Sequence, residues 1–85
     1  MKERILMAKR IIKITFPKDL IKEPLTFTMA TKYNIMPNIR RAKVTESIGE
    51  LVLELDGQEQ DLDKGVEFLK KSGVIVESIV GDVIE

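Results

Sequence analysis

The residues best suited to holding a small molecule fall in one run, Met36-Pro37-Asn38-Ile39-Arg40-Arg41. Asn38 puts a donor and an acceptor on one short amide. Ile35, Met36 and Ile39 supply apolar surface around it, and ligand sites combine apolar walls with a few placed polar groups. Arg40 and Arg41 add planar cationic forks, the geometry that grips a carboxylate in two places. On an alternating strand the two would point to opposite sides. The plainer reading, two solvated or cross-strand-paired cations, is the preferred one. Nothing in the run is a catalytic signature; it is suited to holding a ligand or a partner.

The rest of the composition narrows the chemistry further. The 85 residues contain no cysteine and no histidine. Disulfides, thiol chemistry, imidazole catalysis and the usual zinc sites are therefore excluded, and neither a metal nor a cofactor is expected. Carboxylates are plentiful, but none forms a recognisable acid/base pair with a nucleophile, and there is no glycine-rich phosphate loop. An enzyme is not expected. Lys plus Arg and Asp plus Glu both number 14, so the formal net charge is zero. That balance argues against a nucleic-acid partner and leaves little charge to repel a second copy. The N-terminus lacks the long apolar core of a signal peptide, and no stretch approaches a membrane span, so a cytoplasmic location without membrane insertion is expected.

The elements that must position the run can be read from periodicity. Residues 1–9 are a lead-in and 10–85 a single domain. From Arg10, Ile12, Ile14 and Phe16 alternate with Ile11, Lys13 and Thr15, which predicts a half-buried strand ended by Pro17. Pro24 opens a helix whose Leu25, Met29 and Tyr33, with Ala30, share a face. Phe27 falls off that face: it is an anchor for a partner or, as preferred here, is covered by the N-terminal residues. Asn34 ends the helix, because Asn tolerates the left-handed conformation. Pro37 biases Met36 away from helix and marks the boundary.

Residues 38–46 form a polar strand, with Ile39 on one face and Ala42 and Val44 on the other. Ser47-Ile48-Gly49 supplies a short hairpin with Gly49 at positive φ. Leu51, Leu53 and Leu55 alternate with Val52 and Glu54, and Asp56-Gly57 closes that strand. A second helix runs from about Glu59 to Ser72, with Leu62, Val66 and Leu69 buried and Phe68 beside them. Its acidic first turns and basic last turn suit the helix dipole. Gly65 marks a close backbone approach, and Gly73 a C-terminal cap. Residues 74–80 read as a final strand, Gly81 as its end or a bulge, and 82–85 as a tail.

This order is βαββαβ, an α+β ferredoxin-like fold: a four-stranded antiparallel sheet with two helices on one face. Ile11, Val52, Ile75 and Ile79 are then expected on the second face, mixed with Lys13, Glu54 and Glu77. A partly apolar open face favours a homodimer. The same topology serves RNA-binding modules, but those stack bases on aromatic residues, and this face offers aliphatics.

From about Arg10 onward the chain resembles the NIL domain, a ferredoxin-like, ACT-like module. The resemblance is carried by Phe16, Pro24-Leu25, Ala30, Tyr33-Asn34-Ile35, Asn38-Ile39 and Ala42. It continues through Gly49, Leu53, Gly57, the helix from Leu62 to Gly73, and Val74-x-Val76-Glu77. Such domains occur at the C-terminus of methionine-importer ATPases and fused to small iron–sulfur ferredoxins. Where the family's name motif reads Asn-Ile-Leu, this chain reads Asn38-Ile39-Arg40, which is more similar to the ferredoxin-linked branch. The chain is expected to be either stand-alone or the front part of a longer protein.

The resemblance implies a non-catalytic regulatory domain that binds a small molecule, methionine or a related amino acid, at a dimer interface. Asn38 would hold the ligand, with Met36, Ile39 and Arg40 around it. An amide can bond an amino acid's ammonium or carboxylate; the plainer role for Asn38 is to cap the helix–strand turn. A second expectation is an assembly module for a ferredoxin or transporter partner in sulfur or methionine metabolism, without its own ligand.

Overall fold

The computed structural model describes residues 7–79. Its elements are β1 (Met7–Phe16), a 3-10 turn (Lys18–Leu20), α1 (Leu25–Lys32), β2 (Met36–Val44), β3 (Gly49–Gln58), α2 (Glu59–Lys71) and β4 (Ile75–Ser78). The four strands form one antiparallel sheet in the order β2-β3-β1-β4. The α+β ferredoxin-like architecture is therefore the observed one. Alternation on β1 and β3 drives Ile12, Ile14, Leu53 and Leu55 into the interior, against Met29 and Ile35 and against Leu62 and Leu69 of α2. The opposite face carries Ile11, Val52, Ile75 and Ile79 between charged residues, as their alternation requires.

Both helices end in the same way. Asn34 has φ 57°, and Ile35 N–H donates to the Ala30 carbonyl at 2.9 Å. Gly73 has φ 103°, and Val74 N–H donates to the Leu69 carbonyl at 3.0 Å. Each is a left-handed cap that returns the chain toward the sheet with a buried residue, Ile35 or Val74, immediately behind it. The expected close approach at Gly65 is also present. A Cβ there would lie 3.1 Å from Met29 Cγ and press on Ile35 Cδ1, so α2 reaches the other elements along its own backbone.

Several local expectations are corrected. The first strand begins at Met7 rather than Arg10, because Met7, Ala8 and Lys9 stay in register with Gln58, Gly57 and Asp56. Gly57 does not close β3: the strand runs on to Gln58, which directly precedes α2. Gly49 is not the positive-φ residue of the turn. It is the buried first residue of β3, where Phe16 Cβ and Ile21 Cγ1 approach to 3.3 Å of a Cβ position. The turn is built instead by Thr45, whose hydroxyl accepts from Ser47 N–H at 3.2 Å and Ile48 N–H at 3.0 Å. Phe27 is 68% exposed, and its expected cover by the N-terminal residues falls on residues outside the described ones. The expected continuation of the last strand into Val80, and the roles of Gly81 and 82–85, lie outside the described residues.

The correction that matters most concerns β2. Ile39 pairs with Leu53, yet Val52 is opposite Arg41, so Arg40 is an inserted residue, a β-bulge. The extra residue resets the alternation. Ile39, Ala42 and Val44, opposite Leu53, Leu51 and Gly49, all belong to the helix side, not to two faces. Pro37 is accommodated because β2 is an edge strand, where a missing N–H breaks no central ladder.

Candidate functional site

Strand β2 brings Met36 and Asn38 to the open face, opposite Asp56 and Glu54. Arg40 reaches the same face from the bulge: its Nη1 donates to Glu54 Oε1 at 2.8 Å. Three of the four candidate residues are thus neighbours on one surface. Ile39 is separated from them, on the helix side and 57% exposed. Asn38 is exposed, and Met36 is 70% exposed, so neither is enclosed by the rest of the chain. Asn38 is the third residue of β2 and not a cap; the turn is closed by Asn34 two residues before Met36.

Glu54 is the electrostatic centre of this end of the sheet. Its carboxylate meets Lys9 Nζ at 2.8 Å as well as Arg40, and Lys9 also meets Asp56 at 2.9 Å. The Lys9 ammonium, helped by the Arg40 guanidinium, holds the Glu54 carboxyl below its ordinary value. Reciprocally, Glu54 and then Asp56 hold the Lys9 ammonium above its own. The cross-strand reading of Arg40 is the one observed, so its fork is already engaged by a carboxylate. Arg41, by contrast, has no carboxylate at ion-pair distance among the described residues. The bulge places it on the open face as well, opposite Val52, which corrects the expectation that the two arginines diverge.

Two other surfaces complete the picture. On the helix side, Arg10 ties β1 to the start of α2 through Asp63 at 2.7 Å and Glu59 at 3.2 Å. Lys32 lies over both Tyr33 and Phe68, whose rings pack 5.9 Å apart. Neither contains a nucleophile beside a base. Among the described residues there is no group of acidic side chains arranged to hold a metal ion, and no helix is long and apolar enough to cross a membrane. Sequence reasoning missed the Lys9–Glu54–Asp56 network because Lys9 was read outside the strand. Met7, Ala8 and Lys9 carry too little apolar alternation to extend the strand, and only their pairing with Gln58, Gly57 and Asp56 sets Lys9 beside Asp56.

Sheet order, register and the two helices on one face define a ferredoxin-like α+β domain whose polar edge strand carries an Asn-Ile pair. The chain belongs to the NIL domain family, whose model matches residues 10–78. It is 26% identical over 81 residues to the methionine import ATP-binding protein MetN 1 of Listeria innocua, covering 91% of this chain and 24% of that protein. It is 30% identical over 74 residues to the methionine import ATP-binding protein MetN 2 of Bacillus licheniformis, covering 82% of this chain and 22% of that protein. The chain thus spans about a quarter of the length of these relatives. Among solved structures, the C-terminal domain of an ABC transporter ATP-binding protein from Enterococcus faecalis superposes with TM-score 0.73 at 23% identity, covering 86% of each chain. That likeness shows the shared fold.

Proposed function

We propose that this domain is a non-catalytic regulatory module that binds methionine or a related amino acid at the interface of two copies of the chain. The observation that carries the reading is the exposure of Asn38 and Met36 on an edge strand. Sites for small molecules bury most of their ligand, and one copy of this chain offers only one wall. A second copy set against β2 supplies the other. The flanking Ile39 and Val44, 57% and 59% exposed, give that contact apolar area. In the site the Asn38 amide bonds the amino acid's ammonium or carboxylate and Met36 lines its side chain, while Ile39, on the helix side of β2, serves the contact with the second copy. Arg40 holds the strand through Glu54 and orients Asn38 rather than gripping the ligand. The names of the relatives support methionine as the ligand and an ATP-binding transporter subunit as the context, on the cytoplasmic side where such subunits meet ATP.

A second reading has its own observation. With Arg40 engaged by Glu54 at 2.8 Å, the fork that would fix a ligand carboxylate is occupied. This favours an assembly module, joined to a transporter or ferredoxin partner, that carries no ligand. Isothermal titration of the chain with methionine and a panel of other amino acids separates the two. Saturable heat with methionine that disappears in Asn38→Ala supports the sensor; a flat trace across the panel leaves the assembly module.

A further inference from the structure

We infer that the other end of the open sheet face is a binding site for a small anion, gripped by Lys13, Arg41 and Lys43. The bulge at Arg40 creates it. In an unbroken strand, Asn38 and Arg40 would share this face and Arg41 would turn to the helix side. The inserted residue brings Arg41 over as well, into one cross-strand row with Val52 of β3 and Lys13 of β1. Bulges re-aim side chains in this way beside functional sites. Lys43 stands two pairs further along on the same face, opposite Glu50.

These residues border a depression of about 610 Å³, whose apolar lining includes Val52 and Ile79. That volume lies in the range of small-molecule sites. The charge is unbalanced: three cations line it against the one lining carboxylate of Glu50, with Glu77 opposite Lys13 outside the lining. None of the three has a carboxylate at ion-pair distance among the described residues, whereas Lys9 and Arg40 at the opposite end are neutralised by Glu54 and Asp56. The sheet face is therefore divided into a self-paired end and a cationic end with an apolar lining. The occupant that fits is a small molecule with a carboxylate or phosphate head, bound by the free Arg41 fork, and a short apolar portion against Val52 and Ile79. Asn38 does not line the depression, so this site stands apart from the methionine reading.

The test is a heteronuclear NMR titration of the whole labelled chain at constant ionic strength. Sodium phosphate and sodium hexanoate are the probes in separate arms, with sodium chloride as the reference. Saturable shifts confined to the amides of Lys13, Arg41, Lys43 and Val52 are expected with at least one probe. A response to phosphate alone or to hexanoate alone supports the site and identifies its head group. Arg41→Gln is expected to weaken binding by about tenfold or more, the loss of a charge-assisted contact. Because Arg41 is exposed, its replacement leaves the remaining spectrum unchanged. Asn38→Ala leaves the anion response intact, so failure here and failure of methionine binding are told apart. Shifts that never saturate with either probe, that spread equally to lysines of α2, or that persist unaltered in Arg41→Gln overturn the inference.

Discussion

Replacing Gly65 with alanine sets two effects against each other, and the structure decides which wins. In a bare helix the change would favour folding by about 1 kcal/mol, because alanine restricts the unfolded chain and suits the helix. Here the added methyl meets Met29 Cγ at 3.1 Å and Met29 Sδ at 3.4 Å, and presses on Ile35 Cδ1. Overpacking of this kind costs about 1–3 kcal/mol, so a net loss of about 1 kcal/mol is expected. Ile35→Val removes the offending Cδ1 and by itself costs about 1 kcal/mol. In the double variant the vacated space receives the new methyl, so the two losses do not add; a favourable coupling of about 1 kcal/mol is expected. Urea unfolding, followed by circular dichroism and compared at unchanged m, reads all four corners of the cycle. A stabilised Gly65→Ala, or strict additivity in the double variant, would refute close packing of α2 on Met29 and Ile35.

The left-handed caps should be individually sensitive. Gly73→Ala, at φ 103° with Leu20 Cδ1 3.1 Å from the new methyl, is expected to lose about 1 kcal/mol or more in the same assay. Asn34→Ala, at φ 57°, is expected to lose about 1 kcal/mol. The Glu54 network gives a pH signature. Its folded carboxyl titrates below its unfolded value, so the stabilisation is present above the unfolded value and is lost as pH falls through the folded one. Glu54→Gln should therefore flatten the acid limb of the stability profile, and identical acid limbs for both proteins would contradict the pairing with Lys9 and Arg40. Sedimentation equilibrium should find a dimer that Val44→Lys weakens without altering the circular dichroism spectrum; a strict monomer at high concentration would exclude a site built between two copies.

The fold was legible because its two periods are clean. Leu51, Leu53 and Leu55 repeat at two, Leu62 and Leu69 lie two helical turns apart, and Asn34 and Gly73 stand where left-handed residues must. What was not legible depended on partners far along the chain. Met7 to Lys9 carry too little apolar alternation to announce a strand, yet they are held by pairing with Asp56, Gly57 and Gln58. The insertion at Arg40 leaves no mark in composition; only the register against Leu53 and Val52 reveals it. Because a one-residue shift moves every later side chain to the opposite face, that single bulge reassigned Ala42, Val44 and Arg41. The candidate site suffered most from this. Asn38 and Met36 precede the bulge and share the open face by simple alternation, which also sets Ile39 on the other side, whereas the two arginines follow a geometry that strict alternation could not supply. Gly49 was misread for a similar reason: the turn that needed it was already closed by the Thr45 hydroxyl.

Recognition of methionine at Asn38 is tested most directly by chemical-shift mapping of the labelled chain with methionine. Saturable shifts centred on the Asn38 side-chain amide and the backbone amides of Met36 and Ile39, absent in Asn38→Ala, are the expected result. An unchanged spectrum at saturating methionine, with the dimer intact, would contradict it.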